Sequence, residues 1–220
     1  MYCLPRGQNI RRSDLDHNEV SFSPERWYRS SPAPKSEANI SLGQASNLKR
    51  WLLDYELISE YAKQNRTRFR LSSPEKLLSK WVNYYSYRKN TIRNYYSLEN
   101  VRTVEKTLAD YFNKNKVQYA FTLASGAAKV APFLRYSRVF CYVKGDLLSI
   151  SKELGLKEVN SGPNITFLEP YDEGIFYNLQ NVNDVNVVSD IQLYLDLKSY
   201  KERGEEAAEL ILEKRLKEKW

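Results

Sequence analysis

Residues 41–71 read SLGQASNLKRWLLDYELISEYAKQNRTRFRL. Leu42, Ala45, Leu48, Trp51, Leu52 and Tyr55 recur at spacings of three and four, which marks one buried helix face. Ser41 stands ahead of them as an N-cap. Gln44, Ser46, Asn47, Lys49 and Arg50 lie off that stripe, and their side chains suit base edges and phosphates. Residues 57–61 and 67–71 then read as two strands around a polar tip. The second alternates Arg68 and Arg70 with Phe69 and Leu71, as a half-buried strand does. A helix followed by a basic hairpin is the pattern of a winged helix-turn-helix. There the helix enters the major groove and the wing touches the backbone. Gln44, Ser46, Asn47, Lys49 and Arg50 are thus expected at the groove, and Arg66, Arg68 and Arg70 at phosphates. The plainer reading of the same pattern is a helix–hairpin corner with surface arginines.

Charge supports a polyanionic partner. The 220 residues carry a formal +7, and residues 46–102 hold 12 Lys/Arg against 5 Asp/Glu. The whole excess therefore sits in one segment, as in a chain with one nucleic-acid-facing region. Within it, residues 84–96 interleave tyrosines with Arg88, Lys89 and Arg93. Such a stretch grips phosphates and stacks on bases, or packs its tyrosines and solvates its cations; packing is the favoured reading.

Other classes drop out. No apolar run approaches the ~18 residues of a membrane span, and the N-terminus has no secretion-signal core, so the expected location is the cytoplasm with no membrane contact. Two cysteines far apart and a single histidine build neither a disulfide framework nor a zinc site, and no cofactor is expected.

Around the helix–hairpin segment, residues 1–35 read as an irregular leader and 35–39 as a short helix. After it, 74–87 is a helix with Pro74 at its start. Beyond that, helices (101–115, 125–134, 146–154) alternate with strands (117–122, 138–143, 164–168, 175–177, 185–188), and two helices close the chain (189–200, 203–219). The fold class is α/β (α+β): a partial winged helix-turn-helix over 36–73, then an α/β domain over 74–220 with a small mixed sheet.

Catalysis finds little support. Asp190, Glu205 and Glu206 fall at helix starts, where carboxylates offset the helix dipole, and Asp196 follows on the same helix. Ser125-Gly126-Ala127-Ala128 at a helix start lacks the Lys and spacing of a phosphate-binding P-loop, so close packing is expected instead.

Three stretches resemble one family. Ser41–Arg50 looks like the recognition helix of bacterial transcriptional regulators related to the AbiEi antitoxins of type IV toxin–antitoxin systems, which are linked to phage defence. Phe69–Leu78 resembles their wing strand and following helix, and Ser125–Ala128 with Ala131–Arg135 and Val139–Val143 their central helix and strand. The sharpest likeness is Val188-Ser189-Asp190-Ile191-Gln192-Leu193-Tyr194-Leu195-Asp196-Leu197 with Arg203-Gly204-Glu205-Glu206-Ala207-Ala208. The family's first helix has no counterpart in 1–35, hence a partial unit. The resemblance implies a non-enzymatic regulator that binds double-stranded operator DNA, controls its own operon and counters a cognate toxin. Two alternatives stay open. One is a nucleotidyltransferase-like enzyme using Asp184, Asp190, Asp196 and Glu169. The other is a protein-interaction module whose DNA-binding unit has decayed.

Overall fold

The computed structural model describes residues 2–4, 8–10, 42–63, 66–131, 136–200 and 204–220. The short helix expected at 35–39, the Ser41 cap, most of the leader and the end of the helix expected at 125–134 lie outside them. Two compact units emerge: Met1–Tyr85 with Lys219–Trp220, and Ser86–Glu218.

In the first unit, β1 (Tyr2–Leu4) and β2 (Gln8–Ile10) pair antiparallel, inside the stretch expected to be irregular. Helix α1 (Leu42–Asp54) is followed by the antiparallel hairpin β3 (Ile58–Lys63) and β4 (Arg66–Leu71), then α2 (Pro74–Val82). The core is assembled from Leu48 and Leu52 of α1, Ile58, Phe69 and Leu71 of the hairpin, and Leu77, Leu78 and Trp81 of α2. The helix expected to reach residue 87 stops at Val82. The backbone N–H groups of Asn83, Tyr84 and Tyr85 all bond Trp81 O, closing the last turn.

The second unit is a mixed sheet of seven strands under helices. Its strands are β5 (Thr91–Tyr96), β6 (Gln118–Phe121), β7 (Val139–Lys144), β8 (Lys157–Glu158), β9 (Ile165–Glu169), β10 (Gln180–Val182) and β11 (Val185–Val187). The order is β10-β11-β6-β7-β9-β5-β8, with β11–β6 and β7–β9 parallel and the other pairs antiparallel. Helices α3 (Val101–Lys114) and α5 (Leu147–Glu153) supply Val104, Leu108, Phe112, Leu147 and Ile150 to one core, with Tyr95, Tyr119, Phe121, Cys141 and Phe167 from the strands. Helices α4 (Leu123–Val130), α6 (Asp190–Lys198) and α7 (Gly204–Ile211) pack together, and α6 is buried from Asp190 to Leu197. After α7 a wider turn (Leu212–Leu216) and a 3-10 turn (Lys217–Lys219) carry the second closing helix on.

Two further expectations are corrected. Residues 175–177 are no strand: Glu173–Phe176 is a 3-10 turn, because Asp172 takes the Gly174 N–H at 2.7 Å and swings Ile175 and Phe176 inward. The helix expected from 125 begins at Leu123, whose φ of 50° lets the chain turn sharply off β6. Gly126 then permits close packing. A Cβ there would stand 2.9 Å from Phe121 O and 3.2 Å from Leu193 Cδ1. Ser125 is fully buried and its hydroxyl accepts the Phe140 N–H at 2.9 Å.

Candidate nucleic-acid interface

Helix α1 is anchored by Leu48 and Leu52, which turns a polar stripe outward. Gly43, Gln44, Ser46, Asn47, Arg50 and Asp54 are exposed. Asn47, Arg50 and Asp54 follow at the spacings that put residues on one side of a helix. Lys49 behaves differently. Its ammonium lies 3.4 Å from Glu60 Oε1 and 4.5 Å from the centre of the Phe69 ring. It braces α1 against the hairpin.

Tyr55 was expected on the buried stripe and is exposed, because α1 ends at Asp54 and Glu56 takes a left-handed φ of 56°. Its ring meets Trp51 at 4.9 Å and carries Lys80 Nζ at 3.9 Å, while Lys76 Nζ donates to its carbonyl at 3.1 Å. Lys76 and Lys80 add cations near the end of α1 that the sequence reading did not select. Their spacing of four on one helix was the available signal.

In the hairpin, Phe69 is buried beneath Lys49, so its neighbours Arg68 and Arg70 stand on the other face. Arg70 is exposed, with its guanidinium 6.0 Å from the Tyr61 ring, and Arg68 is half-buried opposite Tyr61. Arg66 sits in β4 opposite Lys63; its side chain lies outside the described residues. The structure thus gathers Gln44, Ser46, Asn47 and Arg50 on one helix surface. It separates Lys49 from them, and it puts Arg68 and Arg70 on the hairpin face turned from α1.

A family model described as transcriptional regulator, AbiEi antitoxin, type IV toxin–antitoxin system matches residues 70–217. The chain belongs to the AbiEi antitoxin family. No curated protein and no solved structure matches it. The AbiEi match starts within β4 and takes in α2 and the whole sheet; α1 and β3 precede it.

Within the AbiEi-matched region three of the acidic side chains, Asp190, Asp196 and Glu205, are held in structural bonds. Asp190 accepts Arg215 Nε at 3.2 Å and Gln180 Nε2 at 2.9 Å. Asp196, fully buried, accepts Gln192 Nε2 at 2.6 Å, Tyr142 Oη at 3.0 Å and the Thr122 hydroxyl. Glu205 takes Lys198 Nζ at 3.2 Å. Among the described residues no three His, Cys, Asp or Glu side chains converge as metal ligands. Burial pushes the Cys141 thiol well above its ordinary range. No helix among the described residues is long and apolar enough to cross a membrane.

Proposed function

We propose that this AbiEi-family chain is a cytoplasmic, non-enzymatic regulator that binds operator DNA, controls its own operon and thereby limits a cognate toxin. In this reading residues 36–73 read DNA and 74–220 form the antitoxin domain. One observation carries it: α1 presents Gln44, Ser46, Asn47 and Arg50 together, on a helix clamped to a hairpin in the order of a winged helix. Charge agrees. The unit built on Met1–Tyr85 holds 15 Lys/Arg against 9 Asp/Glu, and the other holds 19 against 18. Asn47 and Gln44 would hydrogen-bond base edges, and Arg50, Arg66, Arg68 and Arg70 would neutralise phosphates. That the carboxylates of Asp190 and Asp196 are taken up in internal bonds favours the non-enzymatic reading.

The test is fluorescence anisotropy of the full chain with duplex from its own upstream region at several salt concentrations. For ~4–6 phosphate contacts log K falls against log[salt] with a slope of about −4 to −5. Asn47→Ala costs about 1–3 kcal/mol on the cognate site alone. Absence of binding at low salt up to tens of micromolar protein would falsify DNA recognition and leave the interaction-module reading.

A further inference from the structure

A cleft of about 590 Å³ opens in the second unit between α3, α4 and the turn joining β10 to β11. Its volume falls in the ~300–1,000 Å³ range of small-molecule sites. Its interior contains a polar floor. Glu105, 2 % exposed, accepts Lys129 Nζ at 2.6 Å on one oxygen and Tyr136 Oη at 2.7 Å on the other. Burial, then the bond to Glu105, raises the Tyr136 phenol above its ordinary range, so it stays a donor to that carboxylate. Lys129 spends one of its three ammonium hydrogens on Glu105 and keeps two for a ligand.

The remaining charges are sorted by end. Arg102 and Lys106 occupy the first two turns of α3 and line the cleft there. Asp110, one turn beyond Lys106 and two beyond Arg102, lines the cleft further along α3. Asp184 joins it, because Asn113 Nδ2 donates to Asp184 O at 2.9 Å and holds the turn beside the later part of α3. At 1.5 Å per residue, Lys106 and Asp110 are about 6 Å apart along the helix, and Arg102 and Asp110 about 12 Å. Ala109, Ala128 and Val185 provide an apolar stretch of lining. Arg102, Lys106 and Asp110 are exposed and form no ion pair with one another or with other described residues. Unpaired charges of opposite sign, set apart in one cleft, match a ligand with an anion at one end and hydrogen-bond donors at the other.

We infer that this cleft binds a nucleoside monophosphate, with its phosphate against Arg102, Lys106 and Lys129 and its sugar hydroxyls or base amine against Asp110 and Asp184. Two carboxylates favour hydroxyl and amine donors and repel a second phosphate, so a diphosphate or triphosphate fits this sorting worse. A free phosphate would leave the acidic end unused.

Titration calorimetry of the full chain, without DNA, tests this with AMP, GMP, CMP and UMP, and with inorganic phosphate as the control. At least one monophosphate should saturate at one per chain and bind at least about tenfold tighter than phosphate, a difference of ~1.4 kcal/mol. Lys106→Ala and Asp110→Asn, a helical turn apart on α3, opposite in charge and both exposed, should each weaken it about tenfold, with circular dichroism confirming that the variants fold. Arg102→Gln provides a second probe of the cationic end. The inference fails if none of the four nucleotides saturates, if phosphate binds as tightly as they do, or if the variants bind like the parent. Because no DNA is present, a failure here leaves the DNA-binding reading standing, and the reverse also holds.

Discussion

Asp196 is the residue whose chemistry is most constrained. Fully buried, it is the shared acceptor for donors on a strand end (Thr122), a strand (Tyr142) and its own helix (Gln192). Each buried donor left without its acceptor costs about 1–3 kcal/mol. Asp196→Ala is therefore expected to lower unfolding free energy by about 3–5 kcal/mol in urea denaturation. A loss below ~1 kcal/mol would mean the three donors find other acceptors. Asp146 makes a different prediction. It caps α5, and its carboxyl pKa is lowered chiefly by the Ser149 hydroxyl at 2.6 Å, then by the Ser149 backbone N–H. A depressed folded pKa favours the ionised form, so its contribution is complete above the unfolded value near ~3.9 and fades as pH falls through the folded one. The stability difference between the parent and Asp146→Ala should be constant near neutrality and narrow below about pH 4. The same difference at ~pH 3 as at pH 7 would contradict it.

At the scale of elements, the join between α1 and its hairpin matters most. Lys49 was expected to face DNA together with Arg50, yet the two adjacent residues divide the work. Lys49→Ala should cost about 0.5–1 kcal/mol of stability, through the lost cation–π contact over Phe69 and a surface ion pair with Glu60. Arg50→Ala should leave stability within ~0.5 kcal/mol and lower DNA affinity. Thermal melts paired with anisotropy separate them, and a Lys49→Ala variant that loses DNA binding while melting normally would reverse the assignment. Elsewhere, long periodic elements were legible. The apolar spacing of 42–55 and the Arg/Phe alternation of 67–71 announced α1 and β4 within a residue or so. Strands β8 and β10, of two and three residues, are too short to show alternation. The apolar run at 175–177 looked like a strand because burial by a 3-10 turn leaves the same composition.

At the scale of the molecule, the charge follows the division into units: net +6 in the unit of α1 and the hairpin, +1 in the other. Salt-dependent DNA binding should then come from the first. Replacing Arg68 and Arg70 together by alanine is expected to flatten the salt slope by about two units. Replacing Lys152 and Lys157, two exposed cations of the sheet unit, should leave it unchanged. An equal flattening by both pairs would show that the sheet unit shares the contact.

By itself the sequence determined what is local and periodic: a basic helix–hairpin segment, an alternating α/β second half, and the closing stretch that resembles the AbiEi antitoxins. Those depend on spacing along the chain, and spacing is all that one strand or one turn of helix needs to choose its buried face. Only the tertiary structure decided which neighbour covers that face. It turned Lys49 onto Phe69, buried Asp196 beneath Thr122 and Tyr142, and brought Glu105 to Lys129 and Tyr136. Those partners are 20, 74, 54, 24 and 31 residues apart, respectively. A hydrogen bond acts over a few ångströms in space and leaves no period in the sequence, so such contacts are set by how the elements pack.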